Sequence, residues 1–175
     1  MLRFVTVLGT VCVVAALILG AVYGITSPII AVQKEKETQQ ALESVVPGAD
    51  RYDKKSFSKG DYYECYKGKS LIGYALFATG KGYSGDIKML AGIDKKGGIT
   101  GLEVLSQSET PGLGARCAEI KRGAKNPWFL EQFKGKDAAS LQLKDIEAIT
   151  GATITSRAIV DGIRDYTADF LKEVK

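Results

Sequence analysis

Apolar and polar residues divide this chain into three stretches. The first runs from Phe4 to Val32 without a charged residue, built of Val, Leu, Ile and Ala with Gly9 and Gly20 as small positions. A membrane-spanning helix needs about 20 apolar residues, so Val5 to Gly24 alone suffices. A secretory signal has an apolar core of only about 7–15 residues, which favours an uncleaved anchor in the lipid bilayer. The second stretch, Gln33 to Val46 (QKEKETQQALESVV), is rich in helix formers and free of Gly and Pro. It predicts a helical stalk ending before Pro47-Gly48, with Leu42, Val45 and Val46 able to dock on a body. In the third stretch the pattern shortens to strand length. Tyr62–Tyr66, Ser70–Ala78, Ile87–Asp94 and Ile99–Leu105 read as strands. Lys67-Gly68-Lys69 and Lys95-Lys96-Gly97-Gly98 read as hairpin turns. A helix over Ala115–Lys121, an aromatic segment at Trp128–Phe133 and a long helix over Ser156–Glu173 would pack on the sheet. In that last helix Ile159, Ile163, Tyr166, Phe170 and Leu171 recur at helical spacing, the mark of a core-facing stripe. The expectation is an α+β fold: an anchor at 1–32, a stalk at 33–48, and a small antiparallel-sheet domain with packed helices at 49–175.

Composition removes several classes of chemistry. The chain has 24 Lys and Arg against 20 Asp and Glu, a net charge of +4, with no basic stripe to follow a nucleic-acid backbone. It has no histidine. Ser-His-Asp and Cys-His catalysis within the chain are thereby excluded, and the commonest metal ligand is missing. Cys12, Cys65 and Cys117 show no CxxC spacing, so no zinc or iron–sulfur site is expected. Cys65 and Cys117 are either a disulfide pair or two free thiols. Positive residues flank the apolar run almost equally, Arg3 on one side and Lys34 and Lys36 on the other, and leave its orientation open.

Three motifs remain. Gly80-Lys81-Gly82-Tyr83-Ser84-Gly85 matches GxGxxG, but it runs into a second strand (Asp86 to Ala91) and not into the helix that would cradle a pyrophosphate. It reads as a glycine-rich turn in which Tyr83 is free to face a ligand. Ser106 to Gly114 (SQSETPGLG) follows a strand and holds a tight Pro-Gly turn with a carboxylate, Glu109, and a hydroxyl, Thr110. Gly112, Leu113 and Gly114 complete it, and the glycines allow close approach of a planar ligand. Glu147 to Ser156 (EAITGATITS) sets Gly151 and Ala152 between hydroxyls just before the last helix. A helix N-terminus has unpaired N–H groups and suits a phosphate, with the Thr153 hydroxyl at its mouth. The plainer reading is that Thr155 or Ser156 caps that helix.

Taken together, Gly82-Tyr83-Ser84-Gly85 with Gly92-Ile93-Asp94, then Glu109 to Gly114, then Thr150 to Ser156, behind one anchor, resemble the G subunit of the ion-translocating ferredoxin:NAD⁺ oxidoreductase, the Rnf complex. The C subunit of the sodium-pumping NADH:quinone reductase shares the same FMN-binding domain and is the nearest alternative. An anchored binding module without covalent flavin is an alternative of another class. The resemblance implies FMN esterified through its phosphate to Thr153, with Thr150, Gly151, Ala152, Thr155, Ser156, Glu109, Thr110, Gly112, Leu113 and Gly114 around it and no metal or catalytic residue of the chain's own. It implies a flavin transferase that reads an acidic residue three positions before Thr150. That position is Glu147, where the family usually has Asp; Asp145 lies two residues further away. It also implies an electron-carrying subunit of a redox enzyme complex. Its partners would include a second flavinylated membrane subunit and an iron–sulfur membrane pair. The N-terminus would be cytoplasmic and the FMN domain on the outer face. Thr155, Ser156 and Arg157 are then expected to stabilise the phosphodiester charge, and the ring to lie against Glu109–Gly114 near Tyr83 or Trp128.

Overall fold

A computed structural model describes residues 2–124 and 126–174. The chain divides into two compact units, 1–39 and 40–175. A helix, α1, runs over Leu2–Val45 with Pro28 inside it. In the first unit its large apolar side chains, Phe4 to Val32, stand exposed. It is long and apolar enough to cross a membrane.

The second unit is an antiparallel meander of five strands in the order β1-β2-β3-β4-β5. These are β1 (Arg51–Phe57), β2 (Gly60–Lys67), β3 (Ser70–Lys81), β4 (Asp86–Asp94) and β5 (Ile99–Ser106). The four expected strands are present. β1 is an addition, because RYDKKSF is mostly charged and lies mostly exposed at the sheet edge, so no apolar alternation marks it. The GxGxxG segment is the β3–β4 turn, as its strand-to-strand context requires.

A helix, α3 (Thr153–Val174), covers one face of the sheet. Ile159, Ile163 and Phe170 are fully buried there, with Tyr166 and Leu171 half-buried at the margin. Phe170 is edge-on to Phe57, Tyr62 and Tyr74, with ring centres 5.6, 4.9 and 5.1 Å away. Such geometry adds to the burial of the ring itself. The opposite cluster contains the end of α1: Ala41, Leu42, Val45 and Val46 with Cys65, Ala75 and Leu90. The Thr100 hydroxyl donates to the Val45 carbonyl at 2.6 Å, which satisfies an acceptor the helix end leaves over.

Two expectations change, and the alternative left open for Cys65 and Cys117 is decided. The segment after Gly114 forms only a 3₁₀ turn, Gly114–Ala118, because Glu119 is extended and ends it. The aromatic segment contributes a single helical turn, α2 (Trp128–Glu131). Cys65 and Cys117 are free thiols in different core clusters, so no disulfide joins them. Burial pushes their pKa values up to about 12 and about 11, Cys117 also feeling Glu109, and both stay protonated and inert.

Candidate functional site

Glu109 is the point on which the three motifs meet. It is only 5% exposed. Its carboxylate accepts from the Ser84 N–H at 2.8 Å and from the Thr155 hydroxyl, residues 25 and 46 positions away in sequence. The neighbouring Tyr83 and Gly85 amides also favour its charged form. Burial alone would raise its pKa; the Thr155 hydroxyl and the turn amides outweigh that and hold it below the usual carboxylate value. It is therefore an ionised strut tying the β3–β4 turn to α3. Gly114 has no room for more than hydrogen, since a Cβ there would meet Thr155 Oγ1 at 2.5 Å and Glu109 Oε2 at 2.6 Å. The glycine that looks suited to a flat ligand is used to seat this carboxylate.

The segment before α3 is fixed by a second set of bonds. The Ala152 N–H donates to the Ile149 carbonyl at 2.9 Å, closing a turn in which Gly151 has φ +77°. A side chain there would be strained, which explains the glycine. The Ser156 hydroxyl accepts from the Ile149 N–H at 2.9 Å and donates to the Ala152 carbonyl at 3.1 Å. α3 begins at Thr153, three residues before the expected start, so Thr155 and Ser156 lie inside it and neither is its cap. Both side chains are buried, at 1% and 0% exposure. Their hydroxyls bond inward, to Glu109 and to the Ile149–Ala152 turn.

Thr153 is different. It is exposed, it opens a 22-residue helix, and its hydroxyl has no hydrogen-bond partner among the described residues. It lines a groove of about 650 Å³ with Lys81, Arg157, Gly80, Ala158 and Asp161. That volume is within the range of small-ligand sites, roughly 300–1,000 Å³. Lys81 and Arg157 pair with no carboxylate among the described residues, whereas Lys59, further along the groove, is held by Asp169. Thr150 and Glu147 are exposed too, as are Thr110, Gly112 and Gly151. Ala152 is buried. Leu113, 45% exposed, lies beside Gly151, and Ile154 follows Thr153 at 54%. Tyr83 is 74% exposed on the turn whose amides hold Glu109. Trp128 packs under the Lys121 ammonium, 4.4 Å from the ring centre.

Two residues of this region, Gln132 and Lys81, are not among those the sequence motifs single out. Gln132 holds the backbone at Glu147 from both sides, accepting from its N–H at 2.8 Å and donating to its carbonyl at 3.2 Å. Nothing local in the sequence points to a contact between residues 15 positions apart. Lys81 sits in the GxGxxG turn, whose failure as a nucleotide motif hides a cation that still lines a groove. Asp145 accepts from the Gln142 N–H at 2.9 Å in a local capping box. Among the described residues the Glu147 carboxylate has no such partner.

The chain is similar to known proteins. An FMN-binding domain model matches residues 82–168, from the β3–β4 turn into α3. The G subunit of the proton-translocating ferredoxin:NAD(+) oxidoreductase complex of Clostridium ljungdahlii is 35% identical, the match covering 88% of this chain and 83% of that one. The G subunit of the ion-translocating oxidoreductase complex of Methanosarcina acetivorans is 29% identical over 95% of this chain and 94% of its own length. Among solved structures, the C subunit of the Na(+)-translocating NADH-quinone reductase of Parabacteroides distasonis aligns at TM-score 0.50 with 23% identity, over 66% of this chain and 63% of that one. That likeness is one of fold. With a relative at 35% identity matched over most of both lengths, the chain belongs to the G-subunit family of ion-translocating ferredoxin:NAD(+) oxidoreductase complexes.

Proposed function

We propose that this chain is the membrane-anchored electron-transfer subunit of an ion-translocating ferredoxin:NAD⁺ oxidoreductase complex and that it carries FMN bonded through its phosphate to Thr153. The observation that carries the reading is the contrast inside the motif cluster. Glu109, Thr155 and Ser156 are consumed in holding the turn. The Thr153 hydroxyl is left exposed and unpartnered among the described residues at the start of α3, beside two cations without acid partners there.

These residues fit a phosphodiester. Esterified FMN keeps one negative charge, which the N-terminus of α3 and the Lys81 and Arg157 side chains would offset. The exposed Leu113 and Ile154 side chains offer apolar surface for the ring. Bound flavin supplies reversible one- and two-electron chemistry; the protein supplies attachment, orientation and charge. A covalent bond keeps the flavin on the chain when the domain faces an outer space poor in it. The proposed arrangement puts the N-terminus in the cytoplasm and the second unit outside.

The other subunits of the complex, including a second flavinylated membrane subunit and an iron–sulfur membrane pair, are the proposed electron partners, and a flavin transferase the modifying one. Phe4 to Val32 holds no charged residue, so the ion path belongs to those subunits. Flavin fluorescence of the denatured chain in a gel tests covalent loading. A fluorescent band at the mass of this chain is expected from native membranes. A dark band from cells with an active transferase would leave an anchored domain without covalent flavin.

A further inference from the structure

Glu109 is held by bonds that do not need its charge. The amide of a glutamine at this position would still accept from the Ser84 N–H and would donate to the Thr155 oxygen. The carboxylate nonetheless sits ionised at 5% exposure, where burial penalises it. Among the described residues no lysine or arginine pairs with it; a hydroxyl and backbone amides carry the charge. Its niche is cut to fit. A Cβ at Gly82 would meet Oε1 at 2.5 Å, and one at Gly114 would meet Oε2 at 2.6 Å. The Cys117 thiol, which feels this charge, stays protonated and does not offset it.

The niche backs onto a defined place. Leu113 and Ile154 are the exposed apolar side chains proposed as the surface for the ring. The residue after Leu113 is Gly114 and the residue after Ile154 is Thr155, and both wall the carboxylate. Glu109 is thus one residue removed from each side of that surface. Lys81 and Arg157 have the opposite sign, but they are exposed and line the groove beside Thr153, where salt screens them.

We infer that Glu109 is a fixed negative charge behind the flavin that lowers its reduction potential. This rests on the proposal that FMN is carried on Thr153. Reduction adds electrons to the ring, and a buried carboxylate nearby raises the energy of that state above what the ring alone would have. The electrons come from one redox partner of the complex and pass to another. Glu109 gains and loses none, and makes no bond to the flavin. Its bonds are architecture; its charge makes the bound flavin a stronger reductant.

The test titrates flavin absorbance against ambient potential in the full-length chain, loaded on Thr153 by co-expressed transferase and held in detergent, wild type beside Glu109→Gln. At a fixed ambient potential the reduced-to-oxidised ratio is expected to be about tenfold higher in the variant, an upward shift of about 30 mV for a two-electron couple. Wild type alone provides a second reading, which stands if the variant does not fold. Coupling between two sites is reciprocal, so Glu109 should bind its proton about tenfold more tightly when the flavin is reduced. The carbon-13 resonance of its carboxyl, followed against pH in both redox states, measures that. A merely structural role would lower the unfolding temperature of Glu109→Gln and leave both readings unmoved. A folded variant with the wild-type potential, or a carboxyl titration indifferent to the flavin's redox state, would overturn the inference while leaving Thr153 as the site. An intact mass showing wild type unlabelled, or labelled elsewhere than Thr153, would overturn both.

Discussion

Two turns of this molecule invite comparison, the one that follows Glu109 and the one that leads into Thr153. Both are built with glycine, both lie within residues 82–168 that the FMN-binding domain model matches, and they are joined through Thr155. Their polar side chains have opposite fates. The Glu109 carboxylate is buried and saturated by a hydroxyl and backbone amides. The Thr153 hydroxyl is exposed, and two cations unpaired among the described residues line the same groove. The charged residue, which looks the more reactive on paper, is architecture, and the plain hydroxyl is what the architecture presents. A buried polar group with all its bonds made specifies a structure; chemistry needs one with a bond still to make.

The contrast breaks first at Glu109. Glu109→Ala strands the Thr155 hydroxyl and several turn amides, and is expected to cost about 3 kcal/mol or more in unfolding free energy, measured by urea denaturation. Gly114→Ala forces a methyl into the space held by Thr155 and Glu109 and is expected to cost about 1–3 kcal/mol by the same method. Acid should act through the same carboxylate. Its pKa lies below the ordinary 4.5 in the folded chain, so the unfolded chain binds the proton more readily. The stabilisation is therefore complete above that pH and is lost as pH falls through the lower folded value. Glu109→Gln should show a flatter fall of stability below about pH 4.5 than wild type, read from thermal unfolding across pH. Thr153→Val should be the mildest, within about 0.5 kcal/mol of wild type in the flavin-free protein, since no bond inside the fold is lost.

Much of this is legible in the sequence, for reasons that differ by element. The anchor and the inner strands announce themselves through apolar runs and alternation, and α3 through the Ile159–Ile163–Phe170 stripe. β1 is silent because an exposed edge strand carries no core pattern. The start of α3 reads as Ser156 and lies at Thr153, because Thr155 and Ser156 are good caps by type. Glu109, 46 positions before Thr155, and Ile149, in the turn just ahead of the helix, draw their hydroxyls inward instead. Thr153, the proposed attachment site, is marked by its motif. Gln132 is not, since a side-chain amide clasping a main chain 15 positions on leaves no local trace. Side-chain chemistry is readable wherever it acts on near neighbours, and hidden wherever tertiary contact decides which polar group is spent and which stays free.

Attachment of FMN at Thr153 is tested by the intact mass of the chain from native membranes, wild type beside Thr153→Val. Wild type is expected to be heavier by FMN less one water and the variant unmodified, with both chains folded. An unmodified wild type in the presence of active transferase, or a modified Thr153→Val chain, would contradict it.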